Sequence, residues 1–224
     1  MHAWRRWASA LLLVLFSIGL AAPARASAGG PHVLPIAQAR TLPPGTVVTV
    51  DGSATTPSGA FESSFFDKGF AVQDRSAGIY VSVAVDLSIA VRSQVRVTGT
   101  LRDSSGLLIL VPDDPAAVFV HGKGPKVRPT PLATGAVNEA SEGKLVRVVG
   151  RITQAPASDP PFGFKFFVDD GSGELTIFVN TQTGIDLTGL AVGQTVSVTG
   201  FSSQFETHYE IDPRFPADIA VRHR

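Results

Sequence analysis

The sequence predicts an all-β protein built from two copies of one small domain. Three observations carry this prediction: four segments recur in unbroken order, apolar residues alternate with a period of two, and no pattern after residue 26 supports a helix of ten or more residues. A period of two is typical of strands, whereas apolar positions in helices recur roughly every 3.6 residues. The alternation therefore favours sheets throughout this part of the chain.

The recurring segments indicate a duplicated unit. Each segment of the first copy returns 96 to 101 residues later. The matched segments are 45–52 with 143–150, 70–83 with 166–179, 95–99 with 196–200, and 115–116 with 216–217. Collinear matches with so little drift predict repeats that differ in loop length. We place the first repeat at 34–121, a Gly/Pro-rich linker at 122–131 and the second repeat at 132–224.

Each repeat is predicted to contain five strands. In the second copy they lie near 143–153, 163–169, 174–180, 194–202 and 207–211. One set of alternate residues is predicted to fill the interior of this repeat: Val146, Val148, Phe166, Val168, Leu175, Ile177 and Val179. The residues between them then point outward, because successive side chains of a strand lie on opposite faces.

Five strands in about 90 residues suit a small closed barrel, which leaves no free sheet edge. The order Gly-x-x-Val-x-Val-x-Gly, then a Phe-x-Val-x-Asp hairpin, then Val-x-Val-x-Gly resembles the OB-fold. It is similar to OB-like domains of secreted bacterial proteins, some of them attached to extracellular nucleases. The resemblance implies two tandem five-stranded Greek-key barrels, each with a binding surface on its second and third strands. Because the usual helix after the third strand is reduced, a sandwich of immunoglobulin type stays open.

The N-terminus has the pattern of a secretory signal peptide. Arg5 and Arg6 precede an uncharged apolar stretch at 8–22, and Ala24-Arg25-Ala26 forms a cleavage site. We predict a signal peptide at 1–26 and a flexible leader at 27–33. An uncleaved anchor is the alternative, but the apolar stretch is shorter than the roughly 18 residues of a membrane-spanning helix. The chain has no cysteine and thus no site for a lipid anchor, so we expect a secreted or periplasmic protein with no membrane span in the mature chain.

The charge excludes a strongly basic protein. Formal net charge is zero, and removal of the three arginines before residue 27 leaves 16 basic against 19 acidic residues. Proteins that hold any nucleic acid by counterion release carry a marked basic excess. Binding of a polyanion would therefore depend on a local patch.

The residues predict no enzyme, metal site or cofactor. The chain contains no H-E-x-x-H, G-x-S-x-G or nuclease-like histidine pair. The stretch from Asp169 to Gly173 has the composition of a tight turn and is too short for the spaced oxygen ligands of a calcium loop. We therefore expect a binding protein.

The predicted ligand-binding residues combine cations with rings. On the outer face of the second repeat they are Arg147, Arg151, Lys165, Phe167 and Phe178, with Phe162, Phe205 and His208 in flanking loops and Tyr80 in the first repeat. Rings stack bases and cations meet phosphates in proteins that hold a single nucleic-acid strand. In the alternative interpretation, Phe167 and Phe178 form the contact between the repeats or lie under the segment 155–163.

These residues predict a non-enzymatic binding protein, with single-stranded nucleic acid ahead of an oligosaccharide or polysaccharide as the ligand. A structural or protein-interaction module of the cell envelope, or an accessory to an extracellular enzyme, is the alternative, with an envelope protein as its partner.

Overall fold

The computed structural model describes residues 32–63 and 66–222. The predicted signal peptide at 1–26, and the predicted leader apart from His32 and Val33, lie outside the described residues. In the part of the chain that is described, no helix is long and apolar enough to cross a membrane.

The first half is almost entirely strand. Its elements are β1 (Val33–Leu34), α1 (Ile36–Ala39), β2 (Val47–Ala54), β3 (Phe70–Gln73), β4 (Gly78–Val81), β5 (Ser93–Ser104), β6 (Leu107–Val111), a 3-10 turn (Pro115–Ala117) and β7 (Val118–Lys123). The strand β7 extends into the predicted linker, where Lys123 pairs with Ser93.

Strands β2 to β6 form a closed five-stranded barrel. The antiparallel pairs β2–β3 and β3–β4 are followed by a parallel pair, β4–β6, and an antiparallel pair, β6–β5. Strand β5 then pairs back to β2 along residues 47–53, which closes the ring. Closure satisfies the backbone donors and acceptors that an open edge would leave unpaired. The sandwich alternative is therefore wrong for this half.

The second half forms its own sheet. Its elements are β8 (Thr130–Pro131), a 3-10 turn (Thr134–Ala136), β9 (Leu145–Asp159), β10 (Gly163–Asp169), β11 (Leu175–Asn180), a 3-10 turn (Thr181–Thr183), β12 (Thr195–Phe205), β13 (His208–Asp212), a 3-10 turn (Pro216–Asp218) and β14 (Ile219–Val221). The order β9-β10-β11-β13-β12 repeats that of the first half, and β12 also pairs with β9.

The predicted alternation of side chains in the second half is confirmed. Phe166 and Ile177 are fully buried in the apolar core, while Phe167 and Phe178 on the same strands are partly exposed. Phe164 belongs to the same inward-facing set, since it pairs with buried Val179, but it lies near the start of β10 and its side chain is 42% exposed. The period of two thus assigns faces correctly wherever the sheet continues on both sides.

An apolar seam joins the two halves. Phe201 of β12 packs against Phe61 and Tyr80. The centroid of its ring lies 6.1 Å from that of Phe61 and 5.8 Å from that of Tyr80. Ala71 and Ile109 complete the contact and are fully buried. The seam therefore uses the outer face of the first barrel, not the rings Phe167 and Phe178, which the alternative interpretation had placed there.

Polar contacts align the seam. The side chain of Gln73 accepts a hydrogen bond from the Leu145 amide at 2.8 Å, and Arg214 donates to the Thr55 carbonyl at 2.7 Å. A β-carbon added to Gly78 would lie 1.9 Å from the carbonyl oxygen of Gly143, so only a glycine permits this approach. Residues from Pro31 onward accordingly belong to one compact unit.

Candidate functional site

A cleft of about 700 Å³ lies over the outer face of the second sheet. Its floor is formed by β10, β11, β13 and the end of β12. One wall comes from the first half, through Glu62, Phe66 and the turn between β5 and β6. Clefts of this size, lined by rings and a few polar groups, are the usual form of a small-ligand site.

Five phenylalanine rings line this cleft. They are Phe66, Phe162, Phe167, Phe178 and Phe205. Phe66 and Phe162 face each other with centroids 5.9 Å apart, although they come from different halves of the chain. Phe66, Phe162 and Phe205 are 65%, 42% and 46% exposed. Clusters of exposed apolar side chains of this kind are typical of interaction surfaces and ligand-binding grooves.

The cleft brings together six of the nine predicted site residues. They are Phe162, Lys165, Phe167, Phe178, Phe205 and His208. Lys165, Phe167 and Phe178 come from the adjacent strands β10 and β11, as the resemblance implied. Phe205 and His208 were predicted to lie in a flanking loop, but they are the last residue of β12 and the first residue of β13.

Arg147 and Arg151 do not line the cleft. Both are exposed on β9, and the Arg151 guanidinium donates to the Gly193 carbonyl at 2.9 Å. Alternation placed them on the outer face correctly, but the residues paired with them on the neighbouring strands do not line the cleft either: Pro131, Asp169, Thr195 and Thr199. The curvature of a sheet separates side chains that a flat sheet would group together.

The structure contradicts the prediction that Tyr80 is a surface ring. Tyr80 is 1% exposed in the seam, and its hydroxyl donates to the Asp67 carboxylate at 2.7 Å. Burial and the neighbouring Asp67 charge raise the pKa of this phenol well above its usual value. Tyr80 therefore holds the two halves together and meets no ligand.

The sequence interpretation missed two carboxyl groups on the floor of the cleft. Glu210 and Asp212 are 7% and 5% exposed, and both face the cleft because they are two residues apart on β13. Burial raises the pKa of Glu210 to about 7 although the Lys165 charge opposes the shift. Burial, followed by the charge of Glu210, raises the pKa of Asp212 well above its ordinary value. The alternation His-Tyr-Glu-Ile-Asp at 208–212 is the sequence signal that would have found them.

Acidic groups outnumber basic ones in the cleft. The lining includes four acidic residues, Glu62, Asp159, Glu210 and Asp212, and two basic residues, Lys165 and His208. The remaining polar lining is uncharged and consists of hydroxyl and amide groups: Ser63, Ser104, Ser105, Ser203, Thr176, Asn180 and Gln204. Such a surface offers hydrogen bonds to a neutral ligand and repels phosphates.

The turn at 169–173 has the predicted turn geometry. The Asp169 carboxylate accepts from the Gly171 amide at 2.7 Å, and Gly171 has a φ of +98°. Hydrogen bonds from Ser172 and Thr134 lower the pKa of Asp170 to about 2. No group of three or more His, Cys, Asp or Glu side chains in the described ranges is arranged to hold a metal ion.

Comparison with known proteins yields likenesses of fold only. No family model matches the chain, and no curated protein matches it. A chain of the S. pombe Stn1–Ten1 complex is 20% identical over 36% of this protein, which spans 59% of that chain, with a TM-score of 0.32. A murine DNA-binding protein bound to double-stranded DNA is 12% identical over 79% of this protein and 97% of its own length, with a TM-score of 0.40. The tetrameric p202 HIN2 is 12% identical over 80% and 95%, with a TM-score of 0.38. These values are too low to support an argument about function, so the site has to be interpreted from its own residues.

Proposed function

We propose that this chain is a non-enzymatic binding protein with two tandem OB-like barrels, and that its cleft holds an oligosaccharide. The shared strand order of the two sheets supports the architecture. Secretion is part of the proposal and rests on the signal pattern at 1–26. Mass spectrometry of the exported protein tests this, and we expect a mass that matches cleavage after Ala26.

The observation that carries the ligand class is the lining of the cleft. Five rings provide flat apolar faces, and hydroxyl and amide side chains between them provide hydrogen-bond donors and acceptors. A sugar ring presents the complementary surface, since one face is largely C–H and the edge carries hydroxyls. OB barrels as a class bind oligosaccharides as well as oligonucleotides. The acidic excess of the cleft favours the uncharged polymer of the two.

Single-stranded nucleic acid is the second candidate. Arg147 and Arg151 on the exposed face of β9 favour it, since phosphates need cations and these two lie on the barrel that carries the rings. They lie outside the cleft, so a strand bound to the rings would have to leave the cleft to reach them.

The two candidates are separated by titrating the protein with neutral oligosaccharides in a calorimeter and with labelled oligonucleotides in an anisotropy assay. We expect saturable binding of an oligosaccharide with little dependence on salt. Oligonucleotide binding that weakens steeply with added salt, without any oligosaccharide binding, would reject the first candidate.

Replacing Phe167 or Phe178 by alanine is expected to weaken ligand binding about tenfold or more for each ring. Truncation of an anchor ring in a binding site typically costs more than about 1 kcal/mol, and about 1.4 kcal/mol corresponds to a factor of ten. Calorimetric titration of each variant measures the change. Phe119→Ala is the matched control, because this ring is 59% exposed on β7 and does not line the cleft. Unchanged affinity in both cleft variants would remove the rings from the site.

A further inference from the structure

The floor of the cleft contains two carboxyl groups that the proposed binding of a neutral sugar does not use. Glu210 and Asp212 are buried below the level of the rings, and the Ile211 side chain between them points into the core. Strand β13 pairs with β11, with Glu210 opposite Thr176 and Ile211 opposite Ile177. This register puts both carboxyl groups beside the Phe178 side of the cleft.

The cations near the floor are already engaged or distant. Lys165 contacts the Asp159 carboxylate at 3.2 Å, and Glu62 at the rim is paired with Lys68 at 2.6 Å. The nearest basic nitrogen to Glu210 is Nε2 of His208, at 3.8 Å. Among the described residues no basic side chain forms a salt bridge with Asp212. The floor therefore holds acidic groups whose negative charge the protein balances only in part, through Lys165 and His208.

One atom of this pair lacks a partner altogether. The Asp212 Oδ1 atom is buried and accepts no hydrogen bond from the described residues. Natural proteins seldom leave a buried carboxylate oxygen unpaired, because the oxygen loses its contact with water and gains nothing in return. Asp212 also lines the cleft, so a ligand that reaches the floor can supply the missing donor.

Two aromatic rings line the same cleft. Phe167 and Phe178 stand on the adjacent strands β10 and β11 and are partly exposed to the cleft. The face of an aromatic ring attracts a cation through its quadrupole, and this attraction grows when water is excluded. Carboxylates below and rings beside the site both favour one kind of group, a positively charged hydrogen-bond donor.

We propose that the Glu210–Asp212 floor of the cleft is a subsite for a protonated amine, and that the bound oligosaccharide is therefore an amino sugar. This inference rests on the proposed function of the cleft and adds the charge of its ligand. The amine donates to the unpaired Asp212 oxygen and to Glu210, and the sugar rings lie against the phenylalanines.

Acidification is expected to weaken binding of the amine. The pKa of Glu210 is about 7, so this carboxyl loses its negative charge as the pH falls through neutrality. Burial, followed by the charge of Glu210, also raises the pKa of Asp212 well above its ordinary value. The other titratable groups that face the pair are Lys165 and Asp159 on one side, His208 on the same strand, and Tyr80 behind Asp212. Binding of an acetylated sugar should not change in this way.

The test compares the tetramer of glucosamine with the tetramer of N-acetylglucosamine, titrated into the full protein at neutral pH. The two probes share one backbone and differ in the charge on nitrogen. We expect the amine tetramer to bind at least about tenfold more tightly. Asp212→Asn and Glu210→Gln should each lower its affinity toward that of the acetylated tetramer, whose own affinity should stay unchanged. Asp113→Asn, an exposed carboxyl outside the cleft, is the matched control.

The outcomes separate this inference from the proposed function. Both replacements keep the shape of the side chain and remove a buried charge, and thermal unfolding verifies that each variant is folded. Equal affinity of the wild-type protein for the two tetramers overturns the amine subsite and leaves an oligosaccharide site standing. Tighter binding of tetralysine than of the glucosamine tetramer overturns the sugar assignment in favour of a basic peptide. Failure of both tetramers overturns the amino-sugar inference, while the neutral oligosaccharides of the preceding test decide the proposed function separately.

Discussion

Replacing Phe201 by alanine is expected to lower the free energy of unfolding by about 3–5 kcal/mol. Phe201 is 1% exposed, and its ring fills the space between Phe61 and Tyr80 in the seam. Its removal leaves a cavity between the two halves of the chain that cannot collapse freely, because the polar contacts from Gln73 and Arg214 fix the separation of the halves. Urea unfolding followed by circular dichroism measures the loss.

The matched control for this prediction lies on the same strand. Phe205 is four residues further along β12 and is 46% exposed, so Phe205→Ala should change the unfolding free energy by less than about 1 kcal/mol. We also expect the Phe201 variant to broaden the transition, since each half retains its own core and can then unfold independently. A variant as stable as the wild-type protein would mean that the seam contributes nothing to folding.

Replacing Glu142 by alanine is expected to cost about 3 kcal/mol of stability. The Glu142 side chain is buried and accepts from the Arg40 guanidinium at 2.9 Å and from the Leu108 amide at 3.1 Å. Burial raises the pKa of Glu142 above its ordinary value even though Arg40 acts in the opposite direction. The loss therefore comes more from removing the buried acceptor of two partly buried donors, the Arg40 guanidinium and the Leu108 amide, than from the strength of the ion pair itself.

A second acid on the same guanidinium provides the control. Glu139 also contacts Arg40 at 2.9 Å, but its side chain is 68% exposed. Glu139→Ala should cost less than about 1 kcal/mol, because water replaces an exposed partner with little penalty. Thermal or urea unfolding of the two variants side by side isolates the effect of burial, because both carboxylates contact the same Arg40 guanidinium at the same distance of 2.9 Å. Equal losses in both would contradict the argument.

Much of the fold was predictable because it depends on local alternation. The strand predicted at 163–169 has those bounds. The strand predicted near 174–180 begins one residue later, and the strand predicted near 207–211 is shifted by one residue at both ends. The first strand of the second repeat runs to Asp159, beyond its predicted end at 153, because β10 pairs with its polar extension as a hairpin. The segment 154–159 is polar or small and contains Pro156, so it shows no apolar alternation that could have predicted the extension.

The candidate site was half predictable. Phe167, Phe178 and Lys165 were found because they share a face of adjacent strands. Phe66 opposite Phe162, and the proximity of Ser105 and Leu107, depend on how the first half docks, which no pattern within one repeat reveals. Arg147 was grouped with the rings because alternation assigns a side chain to the outer face of a sheet but does not say where around the sheet that side chain lies.

The sequence by itself determined which side chains of each strand point inward, because this depends only on the geometry of neighbouring peptides. It did not determine what covers the outward side. The outer positions Ala71 and Tyr80 of the first repeat became the seam, whereas Phe167 and Phe178 of the second became an open cleft. That difference was decided by the packing of Phe201 against Tyr80, a contact between residues far apart in the chain that no alternation within one repeat encodes.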